Sequence, residues 1–460
     1  MLTRRWFVTM VAMARRHLTF SGGIELADEK HFTLHSAITP AAMPRRLAVP
    51  LMPFGPQGPQ TQLSVDIGSK VRAGDVIATI HAQDLPASDE ASQEMAAAPR
   101  DVGVRAPLDG IVAGLVTAKI AASDGFAVVP AVEMIELSAP ASFGPAQADF
   151  DWSNSLPQEL RQRITAAGLV VHGPRLQSLA LYLAGAIEHK CSVLIANVME
   201  CQPYVTADHR LLVEYGGAVV RGLAILAKAV GAKQTILAVD HRRVGEYRSL
   251  LRPAQEHGIE RLALAHKYPI GLDRMLAGVL TGREVPPGGS ALDVGAAVVN
   301  AATCLAVFRQ VACGLPALGR VVTISGPRIP KPANVWAPLG MPIRELAGVD
   351  GPLVHGGPMV GLSCGDDAVV TPATDAVLAL EPGKTQPPGA CIRCGWCSDH
   401  CPARLNVSAL NDMYELGQVD RASKAGVAAC LECGVCSYVC PAYLPMMQRI
   451  KQLKQAVSRQ

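Results

Sequence analysis

Eight of the thirteen cysteines fall into two runs near the C-terminus, and their spacing restricts the fold more than any other feature. The first run is Cys391-x2-Cys394-x2-Cys397-x3-Cys401-Pro402, and the second is Cys430-x2-Cys433-x2-Cys436-x3-Cys440-Pro441. So tight a loop points three thiolates into one pocket and lets its backbone N–H groups face inorganic sulfur. Gly395 and Gly434 sit where backbone must pass close to that sulfur, and the proline after each fourth cysteine turns the chain away. This is the spacing that holds two [4Fe-4S] clusters, the fourth cysteine of each run serving the other run's cluster. The expected ligand sets are Cys391, Cys394, Cys397 and Cys440 for one, and Cys430, Cys433, Cys436 and Cys401 for the other. A disulfide framework would suit a secreted chain, and zinc sites would use paired C-x2-C motifs at longer separations. Neither accounts for the pattern, so the segment is expected to pass electrons through two neighbouring cubanes. The scattered Cys191, Cys201, Cys304, Cys313 and Cys364 read as buried free thiols.

The rest of the chain must supply several cores, since 460 residues exceed what one domain ordinarily holds. Apolar residues make up 49% and charged residues 18%, with a mean hydropathy of +0.23. No stretch reaches the ~18 uninterrupted apolar residues of a membrane helix, so the chain is expected to rest against a membrane without crossing it. Net charge is +3 and aromatic content 4%, with no stripe of Lys and Arg. Nucleic-acid binding needs such a face and is set aside. Residues 1–20 place a short apolar patch between Arg4-Arg5 and Arg15-Arg16, without a cleavage signal. They read as a frayed tail, or else as a short surface-lying anchor.

Texture divides the chain into four segments. Residues 20–140 carry short β-type runs, two of which, 69–80 (SKVRAGDVIATI) and 104–115 (VRAPLDGIVAGL), look like paired hairpin halves. They are similar to the barrel-sandwich fold of lipoyl domains, yet residues 81–99 between them contain no lysine to modify. A structural role is therefore expected. Residues 150–312 alternate strand and helix, with strands expected at 192–197, 234–240 and 260–265 and a helix over 209–230. That alternation implies a parallel sheet with ligands at the strands' carboxyl ends. Residues 313–370 are again β-rich, and a Pro/Gly-rich linker leads to the cysteine segment at 385–460. Within it, apolar spacing predicts a helix over 443–457 that packs back on this segment, or alternatively turns a basic face toward a membrane partner.

Several stretches together resemble the C subunit of the Rnf ion-translocating electron transport complex. They are 20–33 (FSGGIELADEKHFT), Val49-Pro50-Leu51, 197–210 (NVMECQPYVTADHR), Tyr268-Pro269-Ile270-Gly271, 280–289 (LTGREVPPGG), 321–332 (VVTISGPRIPKP), Gly356-Gly357-Pro358-Met359 and the two cysteine runs. The resemblance implies a multidomain α/β plus β architecture. Its parts would be a barrel-sandwich hybrid domain, an α/β domain like the 51-kDa subunit of complex I, a β-grasp (SLBB-like) domain and a dicluster ferredoxin domain. It also implies a peripheral subunit at the cytoplasmic face of the inner membrane, with other subunits of the complex and a ferredoxin-like carrier as partners.

The family's flavin domain binds FMN and takes NADH through a Gly-rich loop, whose bare N–H groups approach phosphate beside a helix N-terminus. Here the corresponding stretch, 169–180, reads LVVHGPRLQSLA. Only Gly173 remains of the glycines, Pro174 has no N–H, and Arg175 and Leu176 add bulk. The second half of the site is better kept, with Gln202 in place of an acid in Glu200-Cys201-Gln202-Pro203-Tyr204. By resemblance Asn197 and Glu200 approach flavin or nicotinamide; on local grounds Asp208 and Arg210 cap the following helix while Glu200 pairs nearby. Three functions stay open: an electron-relaying subunit fed by NADH through FMN, a flavin-free electron wire or scaffold, and a cobalamin-reductase-like protein of a microcompartment.

Overall fold

The computed structural model describes residues 18–51, 60–81, 101–122, 125–138, 147–171, 177–383 and 386–459. The expectations for residues 1–17, for residues 82–99 between the hairpin halves and for Gly173 with its loop lie outside the described residues.

Near the N-terminus the long strands Asp109–Ala122 and Gly125–Ser138 pair antiparallel. Leu47–Pro50 lies beside the second and Lys70–Val71 beside the first, giving a four-stranded sheet. Gln60–Leu63, Val76–His81 and Asp101–Arg105 form a second, three-stranded sheet. Alternating residues of these strands turn Leu47, Val49, Ile77, Val112, Val132 and Met134 inward. The same core continues into Val322, Ile324, Val335 and Ile343 of the third unit, so the two β-rich parts share one hydrophobic interior.

The central unit is a parallel sheet ordered Ile259–Leu264, Gln234–Asp240, Val193–Val198, Ala296–Asn300. Its strands are apolar runs because both faces are covered. One face carries the helix Ala207–Val230, which is packed so tightly on Ala301–Val307 that a Cβ at Gly222 would lie 1.8 Å from the Cys304 carbonyl oxygen. The strand and helix positions agree with the sequence expectations to within two residues.

In the third unit Ala333–Pro338, Gly319–Ser325, Ala376–Leu378, Leu353–His355 and Leu362–Cys364 are neighbours in that order. The sheet's outer strand is Ile38–Pro40, which pairs in parallel with Ala333–Pro338. The unit thus draws one strand from inside segment 20–140 and another from beyond residue 370. The last unit is helical; Leu405, Val407, Leu410, Leu444, Met446, Ile450 and Leu453 bury together. The C-terminal helix Met446–Ser458 packs back as expected. Its basic groups find partners within the chain: Arg449 on Glu415 and Asn411, Lys454 on Glu432 and the Cys430 carbonyl. Among the described residues no helix is long and apolar enough to cross a membrane.

Residues 22–40 tie these units together. The Gly23 N–H donates to the His400 carbonyl at 2.8 Å, and Ile24 exchanges backbone hydrogen bonds with Tyr268. The Thr33 hydroxyl lies 2.7 Å from that of Thr206, and the Asn334 amide donates to the Thr33 carbonyl. Gly22 passes so close to the Cys401 carbonyl that a Cβ would sit 2.6 Å from its oxygen, and its φ of +75° suits glycine alone.

Candidate functional site

The two cysteine runs close around two hollows. Cys391, Cys394, Cys397 and Cys440 line one of them, walled also by Leu444 and Met446. Cys401, Cys430, Cys433 and Cys436 line the second, with Val435 and Ile450. Each therefore takes three thiols from one run and the fourth from the other. Left-handed residues flank the middle cysteine of each tight loop: Arg393 (φ 56°) and Gly395 (φ 82°), then Glu432 (φ 56°) and Gly434 (φ 77°). Such turns gather successive N–H groups toward a concavity that suits negative charge; the Glu432 N–H already donates to the Cys430 sulfur at 3.4 Å. All thirteen cysteines are free thiols.

Burial pushes the Cys433 thiol up to about 12, and the thiols of Cys430 and Cys401 beside it add to the effect. Cys436, Cys430 and Cys397 are raised for the same first reason. Four crowded, desolvated thiols ionise together only when a cation shares their hollow. The donor set, the inward N–H groups and the apolar walls fit a [4Fe-4S] cluster in each cavity.

The cavities face different surroundings. At the first, Cys394 is exposed, as are Ile392 and Trp396. At the second, Cys433 is buried in the core beneath the parallel sheet, with Ile195, Ile236, Tyr268 and Val298.

At the carboxyl edge of that sheet stand the residues expected to meet flavin. Both carboxylate oxygens of Glu200 accept helix N-terminal N–H groups, Asp208 at 2.8 Å and His209 at 3.0 Å. Burial raises the Glu200 carboxyl above its usual range, opposed by Lys30 and by these two amides. Asn197 donates to the Gly271 carbonyl at 2.9 Å and accepts the Met199 N–H at 3.0 Å. Both side chains are thus committed to internal bonds: Glu200 pairs locally as the local reading had it, but it is Glu200 that holds the helix start, whereas the Arg210 guanidinium pairs with Glu214 instead. Gln202 accepts the Met359 N–H at 3.2 Å, and lies so near Gly357 that a Cβ there would meet its Oε1 at 2.3 Å. Asp208 has a buried Oδ1 with no hydrogen-bond partner, and its carboxyl is raised to about 8 by burial first and by Glu200 second, against Arg320.

Four further side chains complete this edge, and periodicity gave no sign of them. Lys30, 4% exposed, donates to the carbonyls of Glu200 (2.7 Å) and Val205; burial lowers its pKa despite the acids around it. His266 lies 2.7 Å from Asp240, and Arg242 grips the same carboxylate at 2.9 Å. Burial alone would raise Asp240, but the hydrogen bonds from His266 and Arg242 carry it well below the usual carboxylate range. Of the four only Lys30 lies in a stretch shared with the known family, 20–33, and no signal in the sequence marked Asp240, Arg242 or His266.

Three family models match. Residues 18–88 match the RnfC barrel sandwich hybrid domain, 164–309 the Nuo51 FMN-binding domain and 385–441 the 4Fe-4S dicluster domain. A curated relative, the C subunit of the ion-translocating oxidoreductase complex of Klebsiella pneumoniae (strain 342), is 31% identical over 453 residues, 95% of this chain. Over nearly all of its own length this chain is similar to an RnfC subunit. It spans 57% of that relative's length. Among solved structures, NAD+-reducing [NiFe]-hydrogenase in the H2-reduced state is 17% identical, with a TM-score of 0.48, and in the air-oxidised state 16% identical, with 0.46. Each alignment covers 69% of this chain and 64% of the other. The three matches fall in the barrel-sandwich, FMN-type and dicluster parts that the sequence suggested.

Proposed function

We propose that this chain relays electrons through two [4Fe-4S] clusters, as a peripheral subunit of an Rnf-type oxidoreductase complex at the cytoplasmic face of the inner membrane. The observation that carries the reading is the pair of four-cysteine cavities, each completed by the other run's last cysteine. The ligands would be Cys391, Cys394, Cys397 and Cys440 in one and Cys430, Cys433, Cys436 and Cys401 in the other. When bound, each cluster supplies reversible one-electron storage. The chain's own part is to set cluster environment: thiol position, N–H groups turned toward sulfur, and exclusion of water by Leu444, Met446 and Ile450. Exposed surface beside Cys394 offers the route to another subunit or a ferredoxin-like carrier.

A second reading, an electron wire without flavin, is favoured by one specific observation: the hydrogen bonds that occupy Glu200 and Asn197. In the alternative, NADH would reduce FMN near Gly173, Asn197 and Glu200, and the clusters would take the electrons singly. Anaerobic reconstitution with iron and sulfide tests both. About eight irons per chain are expected from two cubanes; near-zero iron would remove the relay altogether. Flavin absorbance with NADH-dependent bleaching of the clusters would favour the FMN-fed form, and eight irons without flavin the wire.

A further inference from the structure

The second cavity is built against the central unit, and the Tyr268 side chain bonds to its cysteine loop. The Tyr268 hydroxyl donates to the backbone carbonyl of Cys433 at 2.6 Å. Its ring is 2% exposed, within the core that also takes in Cys433 and Val435. Its backbone is held in turn by Ile24, through hydrogen bonds of 2.8 and 3.0 Å. On the other side of the same loop, the Met359 carbonyl presses against Gly434, where a Cβ would lie 2.8 Å away. Met359 is itself fixed by Gln202. The cysteine loop of the second cavity is therefore clamped between the YPIG stretch and the Gly356–Met359 stretch. By contrast the corresponding loop of the first cavity presents Ile392 (66% exposed) and Trp396 (53% exposed) outward.

We propose that Tyr268 is a positioning residue for the inner cluster, the one held by Cys430, Cys433, Cys436 and Cys401. By donating to the Cys433 carbonyl it fixes that loop on the central sheet, and it makes the inner cluster easier to reduce than an unclamped one. The physical reason is that a hydrogen bond donated to a ligand's peptide draws electron density from the ligand side and stabilises the added negative charge of the reduced cluster. Outer-shell hydrogen bonds of this kind tune metal centres and keep their ligands in place. The outer cluster has no share in this bond, so the two clusters differ in potential because of where they sit. The inference rests on the two-cluster reading above.

The test is a spectroscopic redox titration of the full chain, reconstituted anaerobically, comparing wild type with Tyr268→Phe and with Tyr438→Phe. Tyr438, between Cys436 and Cys440 and 63% exposed, serves as a tyrosine control that lines neither cavity. In Tyr268→Phe one midpoint potential is expected to move to a more negative value while the other stays, with iron content unchanged. In Tyr438→Phe neither is expected to move. Loss of half the iron in Tyr268→Phe, with the other cluster's spectrum intact, would also support local positioning. Both potentials unchanged, both shifted together, or both clusters lost would overturn it. The second measurement is the rate of iron release to a chelator, expected to rise for one cluster only; equal rates in wild type and variant would count against the proposal. A wild-type chain that takes up no iron would instead sink the two-cluster reading itself, an outcome distinct from all of these.

Discussion

Replacing Glu200 by alanine separates a structural carboxylate from a ligand-binding one. Both oxygens accept N–H groups at the start of the helix Ala207–Val230, at 2.8 and 3.0 Å. Hydrogen bonds to a charged group contribute about 1.5–3 kcal/mol each, while loss of a helix cap costs about 0.5–2 kcal/mol. Two effects reduce the sum. Glu200 is only partly buried by exposed area, so water can reach the freed amides, and deleting the carboxylate also removes its own desolvation cost. A net loss of about 2–3 kcal/mol in the local stability of the helix start follows, or roughly 30- to 150-fold in an opening constant at about 1.4 kcal/mol per decade. Native-state hydrogen exchange reads this directly. Amides of residues 207–212 are expected to lose protection by that factor, while those of the strand Gln234–Asp240 serve as the internal reference. Glu200→Gln, which keeps one acceptor and drops the charge, is expected to fall between. Protection unchanged within a factor of two, accompanied by loss of flavin binding, would refute the reasoning and return Glu200 to the role of a ligand-facing acid.

Other perturbations probe other layers. Because Asp208's folded value of about 8 lies above its ordinary one, its contribution to stability is fully present below about pH 4 and drains away as pH rises through about 8. Asp208→Asn should therefore flatten the pH dependence of Tm over that window and raise Tm at pH 8; parallel curves for the two proteins would refute this. Gly222→Ala, which puts a methyl 1.8 Å from the Cys304 carbonyl oxygen, should destabilise by roughly 1–3 kcal/mol or more in chemical denaturation. Gly217→Ala on the same helix meets only the Arg221 guanidinium at 3.7 Å and should stabilise by roughly 0.5–1 kcal/mol. Crossed ligation is tested with paired cysteine variants. Cys391→Ala with Cys440→Ala should leave about four irons, whereas Cys391→Ala with Cys401→Ala should leave close to none, despite removing two cysteines of the same run.

What the sequence revealed was whatever local spacing encodes. Ligand spacing in the cysteine runs, apolar strands at 192–197 and 234–240, and the helical stripe of Ile450 and Leu453 all follow from short-range geometry, and the structure holds them where they were expected. Ile38–Pro40 had no such mark. It is three residues long and ends in proline, and it becomes a strand only because Ala333–Pro338 offers an open edge. Glu200 and Asn197 show another limit. A motif tells which residue types are present, but whether a carboxylate turns to a ligand or caps the next helix is decided by the path of the loop between them. Lys30 is harder still, since a lysine in a polar stretch reads as surface until carbonyls of Glu200 and Val205 close around it.

The strap formed by residues 22–40 imposes an order on biosynthesis. Its partners include Tyr268, Asn334 and His400, so this segment must wait for residues made several hundred positions after it. At about 5–20 residues per second the wait for His400 is roughly 20–80 seconds. Until Tyr268 and the central sheet are made, Ile24 and Leu26, both destined for burial against them, stay uncovered. Iron loading faces the same clock, because Gly22 and Gly23 seat against the loop that ends in Cys401.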